Sequence, residues 1–365
     1  MRQARQWLVN GLLVLSAIAG TLVAVEAGLR VVYPQPLGVW HHDRDGLALH
    51  WPGLVTYLPQ FGLSVSFNST GMRDREHSVE KTEGVFRLLV LGDSFMEALQ
   101  LPFEASFPSL LEGDLSRRTR RRFEVLNASV SGWGTDDELK YLMSYGLRWK
   151  PDLVVVAMTL HNDINDNLRE RFHTTRNGAL IEKRNTMSSL AYRVIQLKGF
   201  MATRFHTYQL LIRARRVTEM RIEANQLEAH VVDLFRVAED ERMSRGLELT
   251  TLLLDRIHVI ASSAGSRTAV VLVPLAVQLS DSEFTRIVGS GRGLEIDRPQ
   301  RLIRGICERT GIAVIDLLPG FQEWTASGGG SLYLERDGHW NEAGHRLAAA
   351  IAGSELVRLG LARPR

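Results

Sequence analysis

The sequence predicts an α/β fold: one three-layer domain built on a parallel sheet of about five strands, with helices on both faces. Two observations lead there. Continuous apolar runs of strand length recur at Leu88–Leu91, Leu153–Met158 (LVVVAM) and Thr268–Val273 (TAVVLV), as they do in strands buried on both faces. Helix-like stretches separate these runs, and alternation of this kind makes a parallel sheet. The first run also stops abruptly at Gly92-Asp93-Ser94. Open α/β sheets bind ligands at such carboxyl ends, so Ser94 stands where a nucleophile would stand.

Taken in order, the chain opens on Trp7–Val25, nineteen nearly uncharged positions, long enough to cross a bilayer as a helix. Arg2 and Arg5 precede the run, which places the N-terminus in the cytoplasm. A cleaved signal peptide is the competing reading, but its apolar core is normally shorter. The expectation is an uncleaved anchor over 1–33. Either reading puts everything after about Arg30 on the extracytoplasmic side. Residues 34–83 read as a linker and a small β-like section, with alternating apolar residues over Val55–Phe67 and a turn at Asn68-Ser69-Thr70-Gly71. The main domain is expected over 84–365.

Within it, Phe103–Arg118 is a helix and Phe123–Asn127 a second strand. Thr135, with Glu138 three positions on, reads as the N-cap of the next helix. Leu153–Met158 is the third strand. Residues 165–247 break the alternation. With twelve Arg and Lys against three Glu between Arg169 and Arg221, they read as a helical insertion over the strand ends, a lid, a partner contact or a solvated excursion. Alternation then resumes with a helix over Glu248–Ala264, strands at Thr268–Val273 and Ala313–Asp316 around a helix at Arg301–Thr310, and a last helix from about Glu342 to Leu359.

Composition excludes several classes. A single cysteine, Cys307, rules out an internal disulfide and a multi-cysteine metal site. A formal charge of +3 gives no reason to expect nucleic acid as a partner. The arginines at positions 117, 118, 120, 121 and 122 form one cluster, read either as a solvated helix end or as a contact for anionic lipid or acidic polysaccharide. His41, His42 and His50 lack ligand spacing and a carboxylate cluster, so no metal is expected. Gly289-Ser290-Gly291-Arg292-Gly293 neither follows a strand nor opens a helix, which rejects a phosphate loop.

Polar residues of particular types fall at strand ends and late loops: Ser94, Gly132, Asn162, and the pair Asp337 and His339. Acyl transfer needs such parts. A hydroxyl nucleophile needs a base, the base needs a carboxylate to fix its tautomer, and the oxyanion needs donors already aimed at it. Alone, Asn162 is a turn residue, and Asp337 and His339 belong to a polar loop before a helix. Their order along the chain carries the weight.

That order resembles the four-block pattern of the SGNH (GDSL-type) hydrolase superfamily from about Phe86 to Leu359. GDSF at Gly92–Phe95, SVSGWGT containing Gly132, HND containing Asn162, and DGHWN containing Asp337 and His339 look like its four blocks in turn. The resemblance implies a flavodoxin-like sheet and a serine ester hydrolase or acyltransferase that uses no metal or organic cofactor. It assigns Ser94 as nucleophile and His339 as base, with Asp337 orienting it. The oxyanion hole would comprise the Ser94 and Gly132 N–H groups and the Asn162 amide. Leu160 stands where the third block usually has glycine, and is expected to tighten the mouth of the pocket. The D-x-H spacing, with Arg336 three before His339 and Trp340-Asn341 after it, looks like the membrane-associated branch that includes alginate-type O-acetyltransferases. The implied substrate is a small acyl ester, acetyl foremost, on a carbohydrate or other envelope component. A non-catalytic polysaccharide-binding or scaffold protein and a phospholipase acting at its own membrane are the alternatives.

Overall fold

The computed structural model describes residues 2–160, 162–215, 232–238, 240–289, 293–335 and 337–363. Strands are numbered in chain order: β1 Trp40–His42, β2 Ala48–His50, β3 Val55–Leu58, β4 Leu63–Ser66, β5 Val85–Gly92, β6 Arg122–Ser129, β7 Leu153–Thr159, β8 His173–Arg176, β9 Ala179–Glu182, β10 Arg267–Val273 and β11 Ala313–Asp316. Five of them form one sheet in the order β11-β10-β7-β5-β6, every neighbouring pair parallel. This is the expected three-layer α/β domain. The chain steps from β5 out to β6 and then back across β5 to β7, so the order reverses beside the carboxyl end of β5. Ligand crevices of open sheets form at such a reversal.

The pleat sends alternate residues to opposite faces. Leu89, Leu91, Val154, Val156, Val270 and Leu272 pack beneath the helices Thr135–Tyr141, Glu241–Ser263 and Arg298–Thr310. Leu88, Val90, Val155, Val271 and Val273 pack beneath Phe107–Thr119, Leu318–Ala326 and Glu342–Arg358. β5 and β7 are buried at every position, as their unbroken apolar runs require.

Gly92 closes β5 where space is tightest. A Cβ there would lie 2.7 Å from Met96 Cγ and 3.3 Å from Ala157 Cβ. Gly92→Ala is therefore expected to cost about 2 kcal/mol through overpacking, measured as a shift in the urea midpoint at unchanged slope.

Several local expectations are corrected. The helix at Thr135 is capped one residue earlier: Gly134 is the N-cap, and its N–H donates to Asp137 Oδ2 at 3.3 Å. The insertion is not wholly helical. β8 and β9 pair as an antiparallel hairpin through Asn177-Gly178, both at positive φ (53° and 74°), the conformation that favours Asn-Gly in two-residue hairpins. Its last residues, 241–247, are the first turns of the Glu241–Ser263 crossover helix. The 34–83 segment holds two hairpins, β1–β2 and β3–β4, of which only the second falls on the stretch read as alternating. The turn after β4 forms as read, with Asn68 Oδ1 accepting from the N–H groups of Thr70 at 3.0 Å and Met72 at 2.9 Å. In the arginine cluster, Arg117 and Arg118 pair with Asp114 on their own helix, and Arg120 is its left-handed C-cap. Ser290, Gly291 and Arg292 of the rejected glycine loop, with His161 and Arg336, lie outside the described residues.

One described helix, Arg2–Val32, is long and apolar enough to cross a membrane, and none of its apolar window is buried against the rest of the chain. An anchor and a signal sequence both satisfy that description.

Candidate active site

β5 delivers Ser94 as the first residue of a one-turn helix, Ser94–Glu97. Asp93 is its N-cap, accepting from the Phe95 N–H at 3.0 Å. Ser94 lies at the start of this turn, where helix N–H groups have no intrahelical partner. At the far end of the chain, Gly338 takes a positive φ of 78° and turns the segment so that Asp337 and His339 point the same way. The loop is pinned on both sides of His339. The Leu334 N–H donates to the His339 carbonyl at 2.8 Å, and that of Asn341 to the Leu332 carbonyl at 3.0 Å. Trp340, fully buried, packs edge-on to Phe95 with ring centroids 5.2 Å apart. Phe95 in turn lies 4.9 Å from the His339 ring.

These constraints bring three of the sequence-predicted residues into one hydrogen-bonded row. Ser94 Oγ is 2.7 Å from His339 Nε2, and His339 Nδ1 is bonded to Asp337 Oδ1. With Nδ1 protonated and donating to Asp337, Nε2 is left to accept from the serine hydroxyl. Burial pulls the His339 pKa down, but the Asp337 hydrogen bond and charge, with the charges of Asp93 and Glu97, outweigh it, so the net shift is upward. The His339 hydrogen bond, against a smaller burial effect, holds Asp337 below its ordinary value. Gln100, not anticipated from sequence, also donates to Asp337 Oδ1 at 3.2 Å.

The remaining two predicted residues approach from the neighbouring strands. Gly132 follows β6, exposed and at φ 79°, with open space where a Cβ would stand. Only a residue without a Cβ takes that conformation freely. Asn162 follows β7, and its side-chain amide donates to Asp93 Oδ2 at 3.0 Å and also bonds Asp166. Asp93 thus ties the serine turn to the end of β7, since its other oxygen accepts both from the Phe95 N–H and from Thr159 Oγ1, each at 3.0 Å. Glu138 and Asp163 lie beneath. Burial first, and then the Asp93 charge, pushes both carboxyls well above the usual range, and Asp163 accepts from the Thr159 N–H at 2.7 Å. Leu160 is fully buried in the core and does not narrow the mouth of the site. The cause is the pleat: Met158 and Leu160 share the inward-facing layer.

Glu97, like Gln100, is a residue at the candidate site that sequence reasoning missed. It is completely buried and accepts from the Ser131 hydroxyl and N–H, the latter at 3.2 Å, which fixes the residue before Gly132. Its other oxygen faces His50 Nε2 and the Trp40 indole N–H, the latter at 3.2 Å. His50 is therefore not a free ligand, because its Nδ1 meets the Gly71 carbonyl at 3.0 Å. Arg73, also buried, donates to the carbonyls of Glu97, Ala98 and Leu101. The 34–83 segment thus props both the serine turn and the Gly132 loop. Glu97→Ala leaves the buried His50 and the partly buried donors of Trp40 and Ser131 without this acceptor. It is expected to cost about 3 kcal/mol of stability, read by urea denaturation.

The profile of the GDSL-like lipase/acylhydrolase family matches residues 90–347. The chain belongs to this family. The resemblance read from the four blocks is thereby borne out, and with it the class of ester-bond hydrolases. An arylesterase of Vibrio mimicus is 39% identical over 83 residues, 23% of this chain and 39% of the relative. The match spans well under half the length of that relative. Among solved structures, an acetylxylan esterase from Geobacillus stearothermophilus is similar over 74% of this chain and 94% of its own, at 14% identity and TM-score 0.42. A second acetyl xylan esterase, AlAXEase, is similar over 74% and 100% at 13% identity and TM-score 0.43. TesA is similar over 75% and 99% at 17% identity and TM-score 0.39.

Proposed function

We propose that this GDSL-family member is a serine ester hydrolase or acyl-transfer enzyme for small acyl esters, held by its N-terminal helix with the active site on the extracytoplasmic side. The observation that carries the reading is the row Ser94 Oγ, His339 and Asp337 at the reversal point of the sheet. Ser94 Oγ attacks the ester carbonyl as His339 Nε2 takes its proton. The new Oγ–C bond leaves a tetrahedral oxyanion, met by the N–H groups of Ser94 and Gly132 and by the Asn162 amide. His339 returns the proton to the departing alkoxide, and the acyl group stays on Ser94. A second hydroxyl then loses its proton to His339 and attacks the acyl carbonyl, the carbonyl–Oγ bond breaks, and His339 returns the proton to Ser94 Oγ.

Water as the second nucleophile makes an esterase. A sugar hydroxyl makes an O-acyltransferase of an envelope or exopolysaccharide, a reading favoured by the D-x-H spacing and by Trp340 and Asn341. A purely binding or scaffold role is disfavoured, because a binder has no need of all five residues in register. Turnover of p-nitrophenyl acetate, butyrate and decanoate, each with and without an oligosaccharide acceptor, tests the assignment. Acetate preference supports it, and acylated sugar among the products selects the transferase. Decanoate preference would favour a phospholipase, and absence of turnover by folded protein would sink the enzyme reading.

The pH profile follows from the upward shift of His339. A raised pKa means the imidazole keeps its proton to higher pH, and only the neutral ring accepts from Ser94. The acidic limb of kcat/KM is therefore expected above the ordinary histidine value of 6.5. Asp337→Asn removes the carboxylate that contributes most to the upward shift and leaves only the Asp93 and Glu97 charges against burial, so the limb should move to lower pH while the rate falls.

A further inference from the structure

We propose that the helical part of the insertion, residues 189–215, is a second membrane contact, seated in the outer interface of the bilayer beside the N-terminal helix. The proposal rests on the anchor reading above.

The Ser189–Arg204 helix has two unlike faces. One packs on the domain: Gln196 donates to the His42 carbonyl, and Gly199 lies so close to β1 that a Cβ would be 3.5 Å from the Trp40 carbonyl oxygen. Thr203 continues this buried face. The opposite face carries Leu190, Val194 and Leu197 at helical spacing. Leu190 is 74% exposed and Leu197 is 58% exposed. Leu211, in the following helical stretch 206–215, is 66% exposed. A soluble protein would normally face such a stripe inward.

Continuity with the anchor identifies what covers it. Glu26 accepts from the N–H groups of His206 at 3.0 Å and Thr207 at 2.9 Å, capping the start of the second stretch. Arg30 donates to the Arg204 carbonyl at 2.9 Å, and the Gln35 N–H to His206 Nδ1 at 2.8 Å. Leu22, Val23 and Ala27 of the anchor and Met201, Phe205 and Leu211 of the insertion line a common apolar groove of about 510 Å³. Leu22 is three residues inside the apolar run that ends at Val25, hence about 5 Å below its outer end at 1.5 Å per residue. Side chains packed there sit at the depth that interfacial helices reach. Charge agrees: residues 189–215 contain five Arg or Lys and no Asp or Glu, as expected for contact with anionic headgroups.

The test uses the full chain reconstituted in phosphatidylcholine vesicles containing phosphatidylglycerol. Cys307 is buried and is the only cysteine, so Cys307→Ala gives a background for nitroxide labelling of Leu197→Cys and Leu211→Cys. Leu15→Cys reports the anchor and Ile287→Cys, half-exposed on the domain, reports water. Near-UV circular dichroism checks that each variant is folded. The expected result is several-fold lower accessibility to a water-soluble nickel chelate at 197 and 211 than at 287, with oxygen accessibility approaching that at 15. Nickel access at 197 and 211 equal to that at 287, with 15 shielded, overturns the second contact and leaves the anchor standing. Nickel access at 15 overturns the anchor and the proposal together. Dipolar broadening between labels at 197 would assign the face to a second copy of the chain and also overturn it.

Discussion

Ser94→Ala is expected to lower kcat/KM toward p-nitrophenyl acetate by about 10⁴-fold or more, the scale of nucleophile loss in serine hydrolases. The reason is geometric. Ser94 Oγ is the atom that His339 addresses at 2.7 Å, and no other hydroxyl among the described residues is bonded to that imidazole. The substitution removes one exposed-side oxygen from a turn whose cap is the side chain of Asp93, so the fold should be unaffected. Unchanged circular dichroism and urea midpoint, with turnover lost and no acyl adduct by intact mass, would be the supporting pattern. Retention of more than a small fraction of activity would move the nucleophile elsewhere.

The second large effect is expected at Asn162. Removing one oxyanion donor typically costs 10²–10³ in kcat, about 3 kcal/mol of the barrier, and Asn162→Ala should fall in that range with KM little changed. Without substrate, the amide donates to Asp93 and bonds Asp166. Catalytic hydrogen bonds of this kind often form only when the reacting group is present. The developing oxyanion would draw one N–H away from Asp166, while Asp93 keeps the other and holds the side chain in place. Stopped-flow acylation of the variant checks the step directly. A rise in KM at unchanged kcat would instead make Asn162 a ground-state contact.

Much of the sheet could be read from sequence because burial on both faces writes itself as an unbroken apolar run. The bounds expected for Ala313–Asp316 are those observed, and β5, β7 and β10 differ only at their ends. Shorter elements left weaker marks. β1 and β2 have three residues each, too few to establish a period, and their pairing depends on the insertion helix that covers them. The β8–β9 hairpin was legible in Asn177-Gly178 but was overshadowed by the basic, helix-prone composition around it. In the candidate site, Ser94, Gly132, Asn162, Asp337 and His339 stand out in the sequence because their residue types match a chemistry in a fixed order. Glu97 and Gln100 match none. Glu97 sits on a turn that gives no hint of what lies opposite, and its partners Trp40, His50 and Ser131 come from three separate stretches.

That buried carboxylate also determines where the chain can be cut. A fragment begun at Gly84, where the sheet begins, would keep every residue of the Ser94 row and still lack Trp40, His50 and Arg73. Glu97 would then lie uncompensated behind the Gly132 loop, and the carbonyls after Ser94 would lose their guanidinium clamp. Poor activity in such a fragment would be a product of truncation, not a property of the enzyme. The smallest portion worth expressing begins upstream of Trp40, and the two small hairpins, peripheral by topology, belong to the catalytic unit.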